Sequence, residues 1–481
     1  MTTQTPARER ARQRATKGRA PIVVILAFAG IVVSLMHSLV VPLLPRLPDF
    51  LSASAADTTW AVTATLLAGA VATPTVGRLG DMYGKRKMLL ISLGLLVAGS
   101  IVGALSYSLA PLIVGRTLQG LAAGVIPLGI SIMRDELPPG KVGGATAAMS
   151  ASLGVGGALG LPIAALIAEA WDWHTLFWVA ATLGILAFVL VLILVPESPA
   201  RTGGRFDILG ALAMSAALVL LLLIVAKGGV WGWASALTIG LGAGCLLLWI
   251  GWIFWELRVS KPLVDLRANS RRQVLLTNVA SLIFAFSMLC MSLSLPQILQ
   301  LPAETGYGLG QSMLVVGLVM APSGLVMMAV SPISACISAT AGPKWSLISG
   351  AVLVAGGYSV GYFMLDALWQ LVLVSVLVGA GIGLAYGAMP SLIMGAVPPE
   401  ESASANGLNA LMRSVGTSLA AALAGLVFAQ MSMNLNGNPV PSRDAFLVMM
   451  AVGAAGAIVA LCVALFLPRR KPGLLELPFN A

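Results

Sequence analysis

Fourteen runs of about 18 or more apolar residues, separated by short polar or basic breaks, make up most of this chain. They cover roughly 22–44, 60–77, 88–106, 109–133, 143–168, 174–195, 207–226, 235–255, 274–297, 311–336, 345–365, 369–396, 404–429 and 444–467. A run of this length crosses the hydrocarbon core of a bilayer as a helix, since about 20 residues at 1.5 Å each span about 30 Å. The pattern predicts an all-α polytopic membrane protein with fourteen spans.

The breaks differ in charge from one side to the other. Of 28 Lys and Arg, only Arg46, Lys227 and Arg443 fall in breaks on one side, and Arg116 and Arg413 lie within runs. The other 23 (28 − 5) sit in the tails or in breaks on the second side. Basic residues mark the cytoplasmic side of a membrane protein. Both tails, 1–20 and 469–481, are therefore expected in the cytoplasm, with the protein in the cell membrane. The composition agrees, with 58% hydrophobic and 10% charged residues, where a soluble domain carries about a quarter charged. The net charge of +10 then follows from topology and calls for no nucleic acid. The first run is long enough to remain as a span instead of a cleaved signal. Cys245, Cys290, Cys336 and Cys462 all lie inside apolar runs without metal-ligand spacing, so neither a disulfide framework nor a metal site is expected.

Two internal echoes point to duplication. Pro74, Gly84 and Arg86 recur as Pro332, Gly342 and Lys344, and Ser-Leu-Gly-Val-Gly-Gly (152–157) recurs loosely as Met-Arg-Ser-Val-Gly-Thr (412–417). They fit two six-helix halves, 21–200 and 273–468, related by an axis along the membrane normal. Two surplus spans and a charged linker, 201–272, lie between the halves.

The sharpest local signal is Gly77-Arg-Leu-Gly-Asp81-Met-Tyr-Gly84-Lys-Arg86-Lys, a glycine-punctuated basic stretch between the second and third spans. It resembles the G-x-L-G-D-x-x-G-[KR]-[RK]-[KR] loop of the major facilitator superfamily. The 6+2+6 layout, with Phe206-Asp207-x-x-Gly210 and Trp231-Gly-Trp233, resembles that superfamily's fourteen-span drug:proton antiporter branch, of the actinobacterial multidrug or antibiotic exporter type. The resemblance covers essentially the whole chain. It implies a major facilitator fold and proton-driven export of small amphipathic compounds by alternating access. Gly77, Asp81, Gly84 and Arg86 would then form a conformational latch.

Arg116 lies within the fourth span, with Gln119 three residues on, in Arg-Thr-Leu-Gln-Gly120. An arginine there costs roughly 2.5–3.5 kcal/mol on insertion scales, so it either snorkels to a helix end or finds partners in the bundle. The resemblance implies proton coupling for this pair. In the fifth span Gly156, Gly157, Gly160 and Pro162 resemble the antiporter signature G-x-x-x-G-P-x-x-G-G, with the proline displaced by one and Ala164-Ala165 in place of the last glycines. Glycines at helical spacing also serve ordinary close packing. The first span departs most from the family. Where L-D-x-T-I-V-N-V-A-L-P is usual, this chain reads Leu35-Met36-His37-Ser-Leu-Val-Val-Pro-Leu-Leu-Pro45, and no acidic residue stands at mid-membrane. His37 is then the group left to titrate in the first span, or a neutral histidine hydrogen-bonded within the bundle.

Asn406, Asn409 and Arg413 share one face of the thirteenth span, either as glue between helices or as lining of a cavity or gate, and Gln297 is a second polar cavity candidate. No phosphate-binding loop, helix-borne H-E-x-x-H or paired membrane carboxylates are present, which leaves no machinery for an ATP-driven pump or a membrane hydrolase. The chain reads as a cofactor-free, monomeric secondary transporter rather than an enzyme. Two alternatives remain: a narrow exporter of one neutral or anionic metabolite, which the missing carboxylate favours, and a non-transporting receptor or scaffold.

Overall fold

The computed structural model describes residues 20–468 except 41–42, 44–46, 54, 59, 199–202, 204–205, 260–261, 265, 267–270 and 436–437. The basic tail before Ala20 and the tail 469–481 lie outside the described residues. Among those described, fourteen helices are long and apolar enough to cross a membrane. They are α1 (Ala20–Ser38), α2 (Trp60–Tyr83), α3 (Lys85–Ala104), α4 (Leu109–Gly120, continuing as Val125–Glu136), α5 (Pro139–Ala170), α6 (His174–Leu194) and α7 (Ile208–Trp231). There follow α8 (Ala236–Arg258), α9 (Arg272–Gln300), α10 (Met313–Ala329, continuing as Ser331–Thr340), α11 (Pro343–Phe363), α12 (Leu368–Met394), α13 (Ser402–Gln430) and α14 (Arg443–Leu465). A two-stranded antiparallel hairpin, β1 (Ser432–Leu435) and β2 (Asn438–Pro441), joins α13 to α14.

Three helices depart from the lengths of their apolar runs, each for a local reason. The first run extends to about 44, but α1 ends at Ser38. Pro42 and Pro45 follow closely, and proline excludes the helical hydrogen bond four residues back. α4 is interrupted by a single 3-10 turn at Leu121–Gly124. Side chains at Gly120 and Gly124 would run into Thr65 and Val76 of α2, so the turn is where α2 presses into α4. α10 breaks between Ala329 and Ser331, just ahead of Pro332.

Two apolar cores stand apart. One is built by α1–α6, from Leu26, Leu89, Leu93, Leu128 and Phe177; the other by α9–α14, from Phe284, Leu347, Tyr358 and Phe446. Their internal packing repeats. Gly99 of α3 meets Gly115 of α4 backbone to backbone, and Gly350 of α11 meets Gly381 of α12 in the same way. Gly156 sets α5 against Ile31 and Leu35 of α1, and Gly416 sets α13 against Leu282 of α9. Small residues allow such approach where lipid offers no hydrophobic force between helices. The sequence echo at 152–157 and 412–417 is thus the same helix crossing made twice.

The surplus helices form a third cluster. Met214, Leu218 and Leu222 of α7 pack with Trp252 of α8 onto Ala70 of α2 and Leu411 of α13. The pair therefore covers the seam where the two halves meet. Asp207 caps α7 by accepting from Gly210 N at 2.9 Å, and the Trp255 indole of α8 donates to the same carboxylate at 3.0 Å. That explains why Phe-Asp-x-x-Gly opens the insertion.

Candidate functional site

The basic loop builds a buried polar network across the two halves. Its face of the molecule is called the basic face below. Asp81, in the last turn of α2, accepts from Ala403 N at 3.2 Å and Ser404 N at 2.8 Å. It thereby caps the N-terminus of α13, whose unpaired N–H groups and positive dipole end favour an anion. Lys85 lies 3.8 Å from Asp81 and 2.7 Å from Asp135 of α4, and donates to Ser402 at 3.3 Å. Asp81 and Lys85 are both fully buried. Ser131 of α4 is hydrogen-bonded to Ser402, and Ser198 donates to Asp135. Beside them Arg134 of α4 donates to Met394 O at 2.9 Å and Val397 O at 3.1 Å, at the end of α12. The two halves are bonded shut at the basic face through these side chains.

The four loop residues do different things. Gly77 lets α2 touch α13, where a Cβ would stand 2.8 Å from Ala403 O. Gly84 has φ +119, a conformation that requires glycine, and frees its backbone for the Glu197 carboxylate. Glu197 accepts from Arg86 N at 3.1 Å and Lys87 N at 3.3 Å, capping α3. The Arg86 guanidinium donates to Leu192 O, at the end of α6, at 2.5 Å. Arg86 therefore stays within its own half, and Lys85 carries the crossing. The degraded second copy repeats only the local part: Gly342 has φ +99, and Lys344 donates to Leu465 O and Leu467 O at the end of α14, both at 2.7 Å. In each half the cation two residues after the glycine satisfies the last carbonyls of the final helix.

A second cluster lies toward the opposite face. Arg116 does not snorkel; it is 1% exposed. Nε donates to Ala61 O of α2 at 3.0 Å, and one terminal nitrogen donates to Met36 O of α1 at 2.9 Å and Gln119 Oε1 at 2.7 Å. Gln119 donates onward to Ser100 of α3 at 2.9 Å. The arginine thus knits four helices with no carboxylate partner among the described residues. His37 follows Met36 in the last turn of α1, with Nδ1 2.8 Å from Val33 O. If Nδ1 carries the hydrogen, Nε2 is the nitrogen left to take up a proton. The helix end at Ser38 places His37 near the opposite face, farther from mid-membrane than its run suggests.

In α5, Gly156 and Gly160 seat α1 at Ser34–Leu35 and Ser38, whereas Gly157 has nothing nearer than Ser38 Oγ at 3.9 Å. Pro162 packs on Gly317 of α10, where a Cβ would meet Pro162 Cα at 2.9 Å. Gly154 accommodates Met327, also of α10. The glycine-proline face therefore serves both the first half's interior and its contact with the second.

On α13 the polar face divides. Asn406 donates to Ser402 O in its own helix at 2.8 Å, and Asn409 donates to Asn278 of α9 at 3.0 Å. Arg413 lies over the Tyr386 ring of α12, 5.0 Å from its centroid. Gln297 is half-buried near the end of α9, and its side chain makes no hydrogen bond among the described residues.

Lys85, Arg134, Asp135, Glu197, Ser402 and Tyr386 escaped the sequence reading. One signal was present: Leu137-Pro-Pro-Gly after α4 recurs as Val397-Pro-Pro-Glu before α13, marking the two helix ends that meet.

Two internally repeated six-helix bundles, closed against each other at one face by a capped helix, define a membrane protein of the facilitator type. The profile of the Major Facilitator Superfamily matches residues 26–294 and 275–479, and the chain belongs to that superfamily. It is 29% identical over 415 residues to the tetracenomycin C resistance and export protein of Streptomyces glaucescens, covering 85% of this chain and 76% of the relative. It is 27% identical over 380 residues to multidrug resistance protein Stp of Mycobacterium tuberculosis, covering 77% and 68%. Among solved structures, that of the human organic anion transporter MFSD10 has the same fold, with a TM-score of 0.65 at 16% identity over 92% of this chain and 99% of the other.

Proposed function

We propose that this protein is a proton-coupled exporter of amphipathic drugs or antibiotics, working by alternating access between the halves 21–200 and 273–468. The observation that carries this reading is the cap of Asp81 on α13, held with Lys85 and Asp135. Polar bonds that join the two six-helix bundles at one face can break and reform together, which an inert scaffold has no use for. In this reading the basic face and both termini are cytoplasmic, and the conformer is closed toward the cytoplasm. The export named for its tetracenomycin relative supports the direction, and the multidrug resistance named for Stp supports the substrate type. One chain supplies both halves, so a monomer and a small substrate suffice, with no cofactor.

Proton coupling is assigned to His37 with Arg116 and Gln119. Uptake at Nε2 would place a second positive charge beside Arg116, and that repulsion loosens the α1–α2–α4 contact. The test uses the full chain in proteoliposomes with an imposed pH gradient, following ethidium, naphthalene-2-sulfonamide and naphthalene-2-sulfonate. Gradient-driven movement of any probe, abolished by a proton ionophore and reduced at least about tenfold in His37→Gln, is the expected result. Movement without gradient dependence overturns the coupling, and movement of none overturns the transport reading.

A further inference from the structure

The bonds of Arg413 leave most of its guanidinium unspoken for. Its face rests on Tyr386, but no side-chain or backbone acceptor among the described residues takes any of its five N–H groups. Arg116, the other arginine within a span, gives three hydrogen bonds, to Ala61 O, Met36 O and Gln119. The two are in opposite states: one knits helices, the other is held out.

Arg413 is only half-buried, although it sits well inside α13, eleven residues past Ser402 (413 − 402), about 16 Å along the helix axis. That exposure is not toward lipid. The exposed leucines of α13, Leu419 and Leu426, recur at i, i+7 on another face, and Tyr386 beneath the guanidinium is buried on α12. A guanidinium with no protein acceptor at this depth calls for water or a ligand inside the bundle. Stacking fixes the plane of the group while leaving its edge free, the geometry that grips a planar or tetrahedral acid through two parallel N–H bonds. The helix around it is rigid: Asn409, one turn earlier, is bonded to Asn278 and Ser281, and Gly416 is packed on Leu282.

We propose that Arg413, supported by Tyr386, is a binding site for the anionic group of an amphipathic acid carried by this protein. The inference rests on the transport reading and narrows its substrate class. The acid is a carboxylate or sulfonate on an apolar body, received by a cavity that presents a cation.

The experiment measures equilibrium binding to the purified full chain in detergent, with naphthalene-2-sulfonate against naphthalene-2-sulfonamide. The two share one aromatic body and differ in charge. The sulfonate is expected to bind about tenfold more tightly, as charge-assisted hydrogen bonds allow. Arg413→Gln brings that ratio close to one and leaves the sulfonamide within about twofold. Arg413→Lys retains part of the ratio, since it keeps the charge without the fork. A second measurement needs no variant: in the unaltered protein, modification of Arg413 by phenylglyoxal, read by mass spectrometry, is slowed by the sulfonate and not by the sulfonamide. A ratio near one in the unaltered protein, an undiminished ratio in Arg413→Gln, or no protection of Arg413 overturns the proposal. The transport reading is judged separately: selective binding with no probe moved across vesicles keeps the site and rejects transport, while gradient-driven movement with no selectivity does the reverse.

Discussion

The Asp81 carboxylate and the Ser404 backbone N–H stand 2.8 Å apart, although 323 residues separate them in the chain and they belong to opposite halves. A carboxylate that closes a helix N-terminus contributes about 0.5–2 kcal/mol. Here the carboxylate and the helix it closes lie in opposite halves, so the same energy ties the halves together.

On the alternating-access mechanism proposed above, removing the cap shifts a population. In a cysteine-free background, Ser402→Cys places a thiol in the closed basic face, where Ser402 is fully buried. Adding Asp81→Ala raises its labelling by a water-soluble maleimide about 2- to 30-fold, the range set by the energy of a cap. Asp81→Asn, which keeps an acceptor without the charge, gives a smaller rise. An unchanged rate in Asp81→Ala means the face is held shut by something else.

Glycines in this protein differ in what stands over them. At Gly77 a Cβ meets backbone of α13 at 2.8 Å, and backbone cannot yield as a flexible side chain does. Gly77→Ala is expected to lower the initial rate of gradient-driven transport several-fold, and Gly77→Leu to abolish it. Gly157→Ala, with only Ser38 Oγ at 3.9 Å, stays close to the unaltered rate. Equal losses at the two positions would show that the α2–α13 contact has no special part.

Arg116 is a structural tie as well as a candidate for coupling. Arg116→Gln takes the donor from Met36 O, which costs about 1–3 kcal/mol when a buried acceptor is left unpaired, and one of the donors from Ala61 O, which keeps the Thr65 hydroxyl. Its thermal unfolding in detergent falls well below that of Ser100→Ala, which removes the last bond of the chain through Gln119 and a bond to Leu96 O within α3. The reverse order would mean that the Met36 and Ala61 carbonyls find other donors.

At the opposite face, hydrogen bonds from the backbone and ring of His174 hold the Asp172 carboxyl below its ordinary range. A carboxyl depressed on folding contributes stability above its unfolded value and loses it as pH falls through the folded one. The unfolding temperatures of the unaltered protein and Asp172→Asn should thus differ by a constant small amount from pH 7 to about pH 5, and converge below about pH 4. Convergence on raising the pH instead would assign the contact to another group.

The sequence determined the number of spans, the basic face, the duplication and the basic loop, because each depends on residues near one another in the chain. A helix in lipid satisfies its own backbone, so an apolar run is enough to specify one. The glycine at 84 and the cation two residues after it, Arg86, are likewise local, closing α3 and α6 within one half. What spacing did not contain was the choice between neighbours. Lys85 crosses to the other half and Arg86 does not, because α3 starts at Lys85 and its first turn points that side chain at Asp135 and Ser402. Likewise Arg116 and Arg413 read alike as arginines within spans. Only the packing of α1, α2 and α4 around the first, and of the Tyr386 ring of α12 beneath the second, gave one three backbone and side-chain acceptors and the other none among the described residues. Side-chain partners are set by the relative rotation of helices far apart in the chain, and that rotation is fixed by close packing of the whole bundle.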